Sequence, residues 1–419
     1  MNRFIAWCLV GCLLSGFACA AEAPLGADVG GLLSYAREHN PELAAARYEA
    51  EAVQQRTESA GALPDPVLRT ELMDITNQGT KSASLNPSQV GGTRYLLMQT
   101  VPWFGKRGLQ RDVAEAQAAQ ADGQAAATWT ELAGQIKTAY ANYYYLSRSE
   151  QLAQQTLKLL VALEHIAHER YANGLATQQE VIRAQVEQTA LRGELIELQN
   201  GVHHQHSRLN ALLSRPGMAV LAEPAQLRPI PAQARLDYAV LADRLRARNP
   251  QLLMADARSN EAVKSRDLTY VNRYPGFTLG VAPTQSGNRV KSWDLMVEMN
   301  IPLQQGSRRA QEREADALLS AAESRKQALQ DRMLNMLSEG LSGLESARRT
   351  EALTTTSLLP QAELTYQSAL AGYENGRVGF AMLLEAQQQI LKAKQQRLKA
   401  QLDAQLRLAE IENLLGEEL

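Results

Sequence analysis

Two stretches of this chain read as copies of one another: "YANGLATQQEVIRAQ", Tyr171–Gln185, and "YENGRVGFAMLLEAQ", Tyr373–Gln387. Both place a tyrosine, an asparagine and a glycine between helix-favouring tracts. Glycine is the residue that lets a long helix reverse. Two further pairs keep the same order. "NPELAAARYEAEAVQQR" starts at Asn40 and "NPQLLMADARSNEAVKSR" at Asn249; "VPWFGKR" starts at Val101 and "IPLQQGSR" at Ile301. Each landmark recurs about 200 residues on, and three pairs in register argue for tandem duplication.

Each repeat has one internal order. A helix follows the Asn-Pro pair, two strand-like stretches come next, and a very long helical tract reaches Tyr-x-Asn-Gly before a second long helix. In "WDLMVEMNI", Trp293, Leu295, Val297, Met299 and Ile301 alternate with Asp294, Met296, Glu298 and Asn300. "GFTLGVA" alternates Phe277, Leu279 and Val281 with small or polar residues, which is strand patterning. "DPVLRTELMD" and "GTRYLLMQTV" are the first-repeat counterparts. These lengths suit tilted membrane strands of roughly 9–11 residues. Polar segments join each pair: "ITNQGTKSASLNPSQ" and "PTQSGNR".

The helical tracts carry seams at coiled-coil spacing. They are Leu132, Ile136, Ala139, Tyr143 and Leu146; Leu191, Leu195, Leu198 and Val202; and Leu334, Leu337, Leu341 and Leu344. No proline interrupts Arg107 to Ala172, a tract on the order of 100 Å if fully helical. Between the repeats, Pro216, Pro224, Pro229 and Pro231 forbid a continuous helix, and residues 216–237 read as a strap crossing the helices. The expected organisation is a leader at 1–20, one repeat at 21–215, the strap at 216–237 and a second repeat at 238–419.

The leader reading rests on Arg3, the apolar "FIAWCLVGCLLSGF" and "ACA" before Ala21. "LVGC" at Leu9–Cys12 offers a lipidated alternative. Cys8, Cys12 and Cys19 are the chain's three cysteines, so residues 21–419 hold no thiol chemistry. No later stretch has the ~20 apolar residues of a membrane helix, so a membrane-embedded form must use strands. Forty-three basic against 45 acidic residues argue against nucleic-acid binding through bulk charge. No GxSxG, HExxH, phosphate-binding loop or dinucleotide fingerprint appears, so neither catalysis nor a cofactor is expected. "HHQH" (His203, His204, His206) and the His165/His168 pair read as exposed filler, since the triplet does not share one helix face; no metal site is expected.

Four strands cannot close a barrel, and an open edge in lipid leaves backbone groups unpaired. Strands must be pooled between copies, and three copies give twelve. The chain resembles the TolC-like outer-membrane efflux family, or outer membrane factors. The resemblance is carried by "NPEL" and "NPQL", "LPDPVL" at Leu63, "VPWFGKR", "IPLQQGSRR", the two Tyr-x-Asn-Gly segments and the closing "LAEIENLLGE". It covers residues 21–419 and lies in the order and spacing of the motifs. It implies a mainly α fold with transmembrane β: a trimeric twelve-stranded barrel in the outer membrane, continuing into a long helical barrel through the periplasm. It implies an exit duct working with an inner-membrane pump of the RND type and a periplasmic adaptor (membrane fusion protein). The strand exit resembles the heavy-metal branch, so metal cations are the favoured cargo. Organic-compound efflux, type I secretion and a soluble coiled-coil adaptor are the alternatives.

The resemblance also assigns roles. Gly174, Leu175, Ala176, Gly376, Arg377 and Val378 fall at the periplasmic tips that meet the adaptor. Tyr373 and Glu385 fall at the tunnel entrance. Two departures stand out: Met382 occupies the place of a second entrance acid, and Arg377 is displaced by one from an expected arginine. Trp103 and Phe104 suit an aromatic girdle at the membrane interface, with Lys106 and Arg107 beside lipid phosphates. Those cations open a helix, where the dipole favours acids instead, and the second repeat keeps Pro302, Gly306, Arg308 and Arg309 without the aromatics.

Overall fold

The computed structural model describes residues 25–419; the leader, its cysteines and the lipobox-like segment lie outside them. The first repeat runs α1 (Val29–His39), α2 (Pro41–Ala60), β1 (Val67–Met73), β2 (Gly92–Val101), α3 (Lys106–Ala172) and α4 (Gln178–Leu212). The second runs α5 (Tyr238–Arg248), α6 (Pro250–Val271), β3 (Gly276–Ser286), β4 (Arg289–Asn300), α7 (Gln305–Leu353), α8 (Leu359–Glu374) and α9 (Phe380–Leu415). Among the described residues, no helix is long and apolar enough to cross a membrane.

The Asn-Pro pairs earn their place twice. The Asn40 carboxamide oxygen accepts from the backbone of Glu42 and Leu43, capping α2, while its amide donates to Leu212 O at 3.0 Å. Asn249 caps α6 through Leu252 N and donates to Leu414 O at 2.8 Å. One side chain thus starts one helix and closes the far end of another, using donors and acceptors that helix ends leave orphaned. Pro41 and Pro250 sit at the first helical position, where the missing N–H is harmless.

The strands form one antiparallel sheet in the order β1-β2-β3-β4, and the β2–β3 pairing joins the repeats. Its register sorts the residues into two faces. Leu68, Leu97, Val281 and Leu295 lie in one row across all four strands, and Gln99, Leu279 and Val297 in the next. Trp293, Leu295 and Val297 on this face are exposed. The opposite face carries Arg69, Glu71, Arg94, Asp294 and Glu298, with a small apolar cluster of Leu96, Met98, Ala282 and Met296. The apolar face suits lipid and the charged face an aqueous lumen. The polar connection read at "PTQSGNR" is shorter than expected. β3 runs on to Ser286, β4 begins at Arg289, and Gly287 supplies the positive φ of a two-residue turn.

The strand exits feed long helices. α3 runs 67 residues without a break and packs against α2, α6, α4 and α9. The corresponding tract of the second repeat is interrupted: a π-helical turn, Thr354–Leu358, separates α7 from α8. Pro360 supplies the reason, since its ring removes a donor and crowds the carbonyl one turn back.

Three apolar cores sit along the helices. Leu32, Ile136, Tyr140 and Leu209 form one; Leu241, Leu337, Leu344 and Ile411 form its second-repeat counterpart. Leu163, Ala184, Phe380 and Leu383, from both hairpins, form the third near the tips. The strap binds by its backbone: Ala222 and Ala225 donate to Leu25 O and Ala27 O, and the Tyr140 hydroxyl is shared between Ala27 O and Gln226 O. Burial pushes the Tyr140 phenol up to about 12. Beneath the strap, Glu412 is only 4% exposed. It takes Lys137 Nζ at 2.8 Å and Arg228 Nη1 at 2.6 Å, tying α9 to α3 and the strap.

Candidate functional site

Both Tyr-x-Asn-Gly segments build the same helix end. Gly174 and Gly376 have φ of 70° and 69°. In the first, Gly174 N donates to Tyr171 O and Leu175 N to Arg170 O; in the second, Gly376 N donates to Tyr373 O and Arg377 N to Gly372 O. This is the Schellman pattern, which glycine permits without steric cost. Asn173 and Asn375 add side-chain bonds to Glu169 O and Ala371 O. Leu175 projects 67% exposed from the first tip, with Ala176 half-buried behind it. At the second, Arg377 is exposed, and Val378 folds back over Gly372, where an added Cβ would meet it at 2.6 Å.

The tyrosines diverge. Tyr171 is exposed, whereas Tyr373 is 2% exposed. The Tyr373 hydroxyl donates to Glu180 Oε2 at 3.0 Å, across the two hairpins. The Arg170 guanidinium lies 4.8 Å over its ring and donates to Glu374 O at 3.2 Å. Phe380 meets the ring edge-on at 5.5 Å. Burial, then the hydrogen bond to Glu180, push the Tyr373 phenol up to about 12. Glu385 stands exposed on α9, two turns beyond the reversal.

Arg170 and Glu180 were not singled out in the sequence, yet they hold Tyr373. The signal was a break in the repeat. Aligning the two tyrosines puts Arg170 opposite Gly372, Glu180 opposite Met382 and Arg183 opposite Glu385. The duplication conserves the turn and varies the residues that distinguish one hairpin from the other.

At the strand exits, Gly105 (φ 80°) turns β2 into α3. Trp103 stacks on Tyr274 at 4.9 Å, 8° from parallel, with Phe277 at 6.1 Å; Phe104 is 83% exposed. The second repeat therefore supplies aromatics from its α6–β3 turn, a different place from the one compared in the sequence. Lys106 is half-buried and Arg107 exposed. Arg107 Nε donates to Gly61 O at 2.8 Å, at the end of α2, and Arg308 donates to Asn272 O at the end of α6. The basic first turns thus face the carbonyl ends of antiparallel neighbours, where a cation is favoured.

The histidines remain dispersed: His165 pairs with Glu169 at 3.6 Å and His206 lies edge-on to Tyr143. Among the described residues, no three His, Cys, Asp or Glu side chains gather as a metal would require.

The sequence pattern of the family described as "Outer membrane efflux protein" matches residues 32–215 and again residues 241–417. No curated protein sequence matches the chain. Several solved structures share its fold. The outer membrane protein VceC from Vibrio cholerae superposes with a TM-score of 0.78 at 18% identity, over 93% of this chain and 96% of that one. A membrane protein from Pseudomonas aeruginosa gives 0.79 at 19%, over 94% and 91%. CusC, described for its conformational changes on folding and transmembrane channel formation, gives 0.77 at 15%, over 93% and 92%. The two-faced sheet, the paired helical hairpins and the twice-matched family pattern lead to one conclusion: the chain belongs to the outer membrane efflux protein family, the non-enzymatic outer-membrane channels of tripartite efflux systems, which are TolC-family trimers extending into the periplasm and working with an adaptor and a pump.

Proposed function

We propose that this chain forms a homotrimeric exit duct for metal cations, closed at its periplasmic tip by the Tyr373 latch and opened when an adaptor binds the tips. The latch is the observation that carries the gating part. One buried phenol makes the polar link between the two hairpins at the tip, through Glu180 and Arg170, beside the apolar core the hairpins share. Glu385 faces solvent beyond the second reversal and suits the attraction of cations to the entrance. Leu175, Ala176, Arg377 and Val378 cap the reversals at Gly174 and Gly376, and they supply mixed apolar and basic contact for an adaptor hairpin. An RND-type pump fits as the upstream partner.

Trp103, Phe104, Tyr274 and Phe277 form the membrane-interface anchor, with Lys106 and the free end of Arg107 toward lipid phosphates. Residues 216–237 act as a strap between the repeats.

Deletion of the gene followed by survival assays tests the cargo. Sensitivity to copper, zinc or cadmium, restored by the wild-type chain, is the expected result; sensitivity to organic dyes alone contradicts metal transport. Tyr373→Phe combined with Glu180→Gln tests the latch. Reconstituted in planar bilayers, this variant conducts more than wild type, whereas equal conductance contradicts the gate.

A further inference from the structure

On the charged face of the sheet, Arg289 stands without an ion-pair partner among the described residues at the outer hairpin, the middle level is balanced, and one carboxylate stands alone near the strand exits. At the middle level, Arg94 lies 3.9 Å from Glu71 and 4.0 Å from Asp294, and Arg69 lies 3.9 Å from the same Glu71. Two cations and two carboxylates there offset one another. Glu298 stands nearer the strand exits, opposite Thr278, which in turn lies opposite Thr100. Its neighbours on that face within the protomer are Met296, Asn300 and Gly280, all uncharged; β4 is an edge strand, and the next copy's β1 beside it carries Arg69 already facing Glu71. Glu298 is exposed and joins none of the ion pairs among the described residues. Leu96 and Met296 close over Gly280, and the Glu298 side chain beyond them stays exposed.

We infer that Glu298 is the charge-selecting residue of the barrel. This rests on the trimeric duct reading, and goes beyond it by naming where inorganic cations are favoured over anions within the membrane. Three-fold symmetry sets three Glu298 carboxylates at one height, where the barrel hands over to the helical tunnel. A ring of like charge against a low-dielectric wall concentrates counter-ions and repels co-ions. The balanced Arg69–Glu71–Arg94–Asp294 level above it exerts no comparable net field.

The test uses the full-length trimer in planar bilayers under a potassium chloride gradient. Wild type shows a cation-preferring reversal potential. E298Q lowers the cation-to-anion permeability ratio several-fold, and E298K turns it toward anions, while E385Q at the tip keeps most of the wild-type ratio. The three native cysteines all lie within the first 19 residues, so E298C gives one new thiol per subunit. A cationic methanethiosulfonate reagent then lowers conductance in up to three steps. Conducting E298Q channels with an unchanged ratio overturn the inference, as does loss of the whole preference in E385Q. A protein freed of the latch by Tyr373→Phe with Glu180→Gln that inserts and still carries no current contradicts the duct reading itself.

Discussion

At the scale of single residues, Tyr373 shows how one side chain is made to differ from its duplicate. Tyr171 and Tyr373 occupy the same turn, yet only Tyr373 finds a carboxylate, a guanidinium and a second aromatic. Its phenol titrates near 12 rather than at the ordinary 10.0, so the folded tip favours the protonated form. The latch is therefore fully held below about pH 10 and weakens as pH rises from there toward 12. Wild-type conductance is expected to climb across that window, and Tyr373→Phe should abolish the climb; a flat wild-type profile contradicts the assignment. Gly376 gives a second residue-scale prediction. An alanine there must adopt φ near +69°, at a cost of roughly 1–2 kcal/mol. Amide exchange at the second tip should quicken accordingly in Gly376→Ala. The turn glycines were legible in the sequence, because glycine has a local meaning. Glu180 was not, because its partner lies in the other hairpin.

At the scale of elements, the repeat explains most of what holds the helices in place. Asn40 and Asn249 perform identical double caps, and Arg107 and Arg308 close identical helix ends. The puzzle of basic residues opening a long helix resolves once the neighbouring helix is considered: the sequence shows only the dipole of the helix that carries them. The buried ion cluster has no such duplicate. Lys137 comes from the first repeat, Arg228 from the strap and Glu412 from the second repeat. Removing the shared carboxylate leaves Arg228 without its partner and Lys137 with the exposed Glu418 alone, 3.0 Å away; loss of one member of a buried pair costs up to about 3–5 kcal/mol. Glu412→Ala should lower the temperature at which trimers dissociate, and a wild-type profile would show that the strap is held by its backbone contacts alone. The coiled-coil seams were readable from spacing, and Leu132, Ile136, Ala139, Tyr143, Leu337 and Leu344 are indeed buried. The π turn before Pro360 was missed: polar residues Thr354–Ser357 interrupt the apolar spacing there, and the buried positions Ala347, Thr354, Ala362 and Ala369 shift by one residue across it.

At the scale of the whole molecule, the protomer is a slice that cannot stand alone in a membrane. β1 and β4 are the free edges of its sheet, and the apolar face bearing Leu68, Leu97, Val281 and Leu295 is continuous across all four strands. Edges in lipid must be paired, so β4 of one copy meets β1 of the next, antiparallel because alternate strands reverse direction. The four strands, too few to close a barrel, were legible in the sequence from their alternation. The sorting of charges on the lumen face was not, because it depends on a register that only pairing fixes. Electron cryo-microscopy of the detergent-extracted full-length protein measures this arrangement without assuming it. The expected result is a three-fold particle with a twelve-stranded barrel, β4–β1 contacts between neighbours and one continuous helical tunnel below. A particle without three-fold symmetry, or one whose β1 and β4 edges remain unpaired, would contradict the channel built here from the single chain.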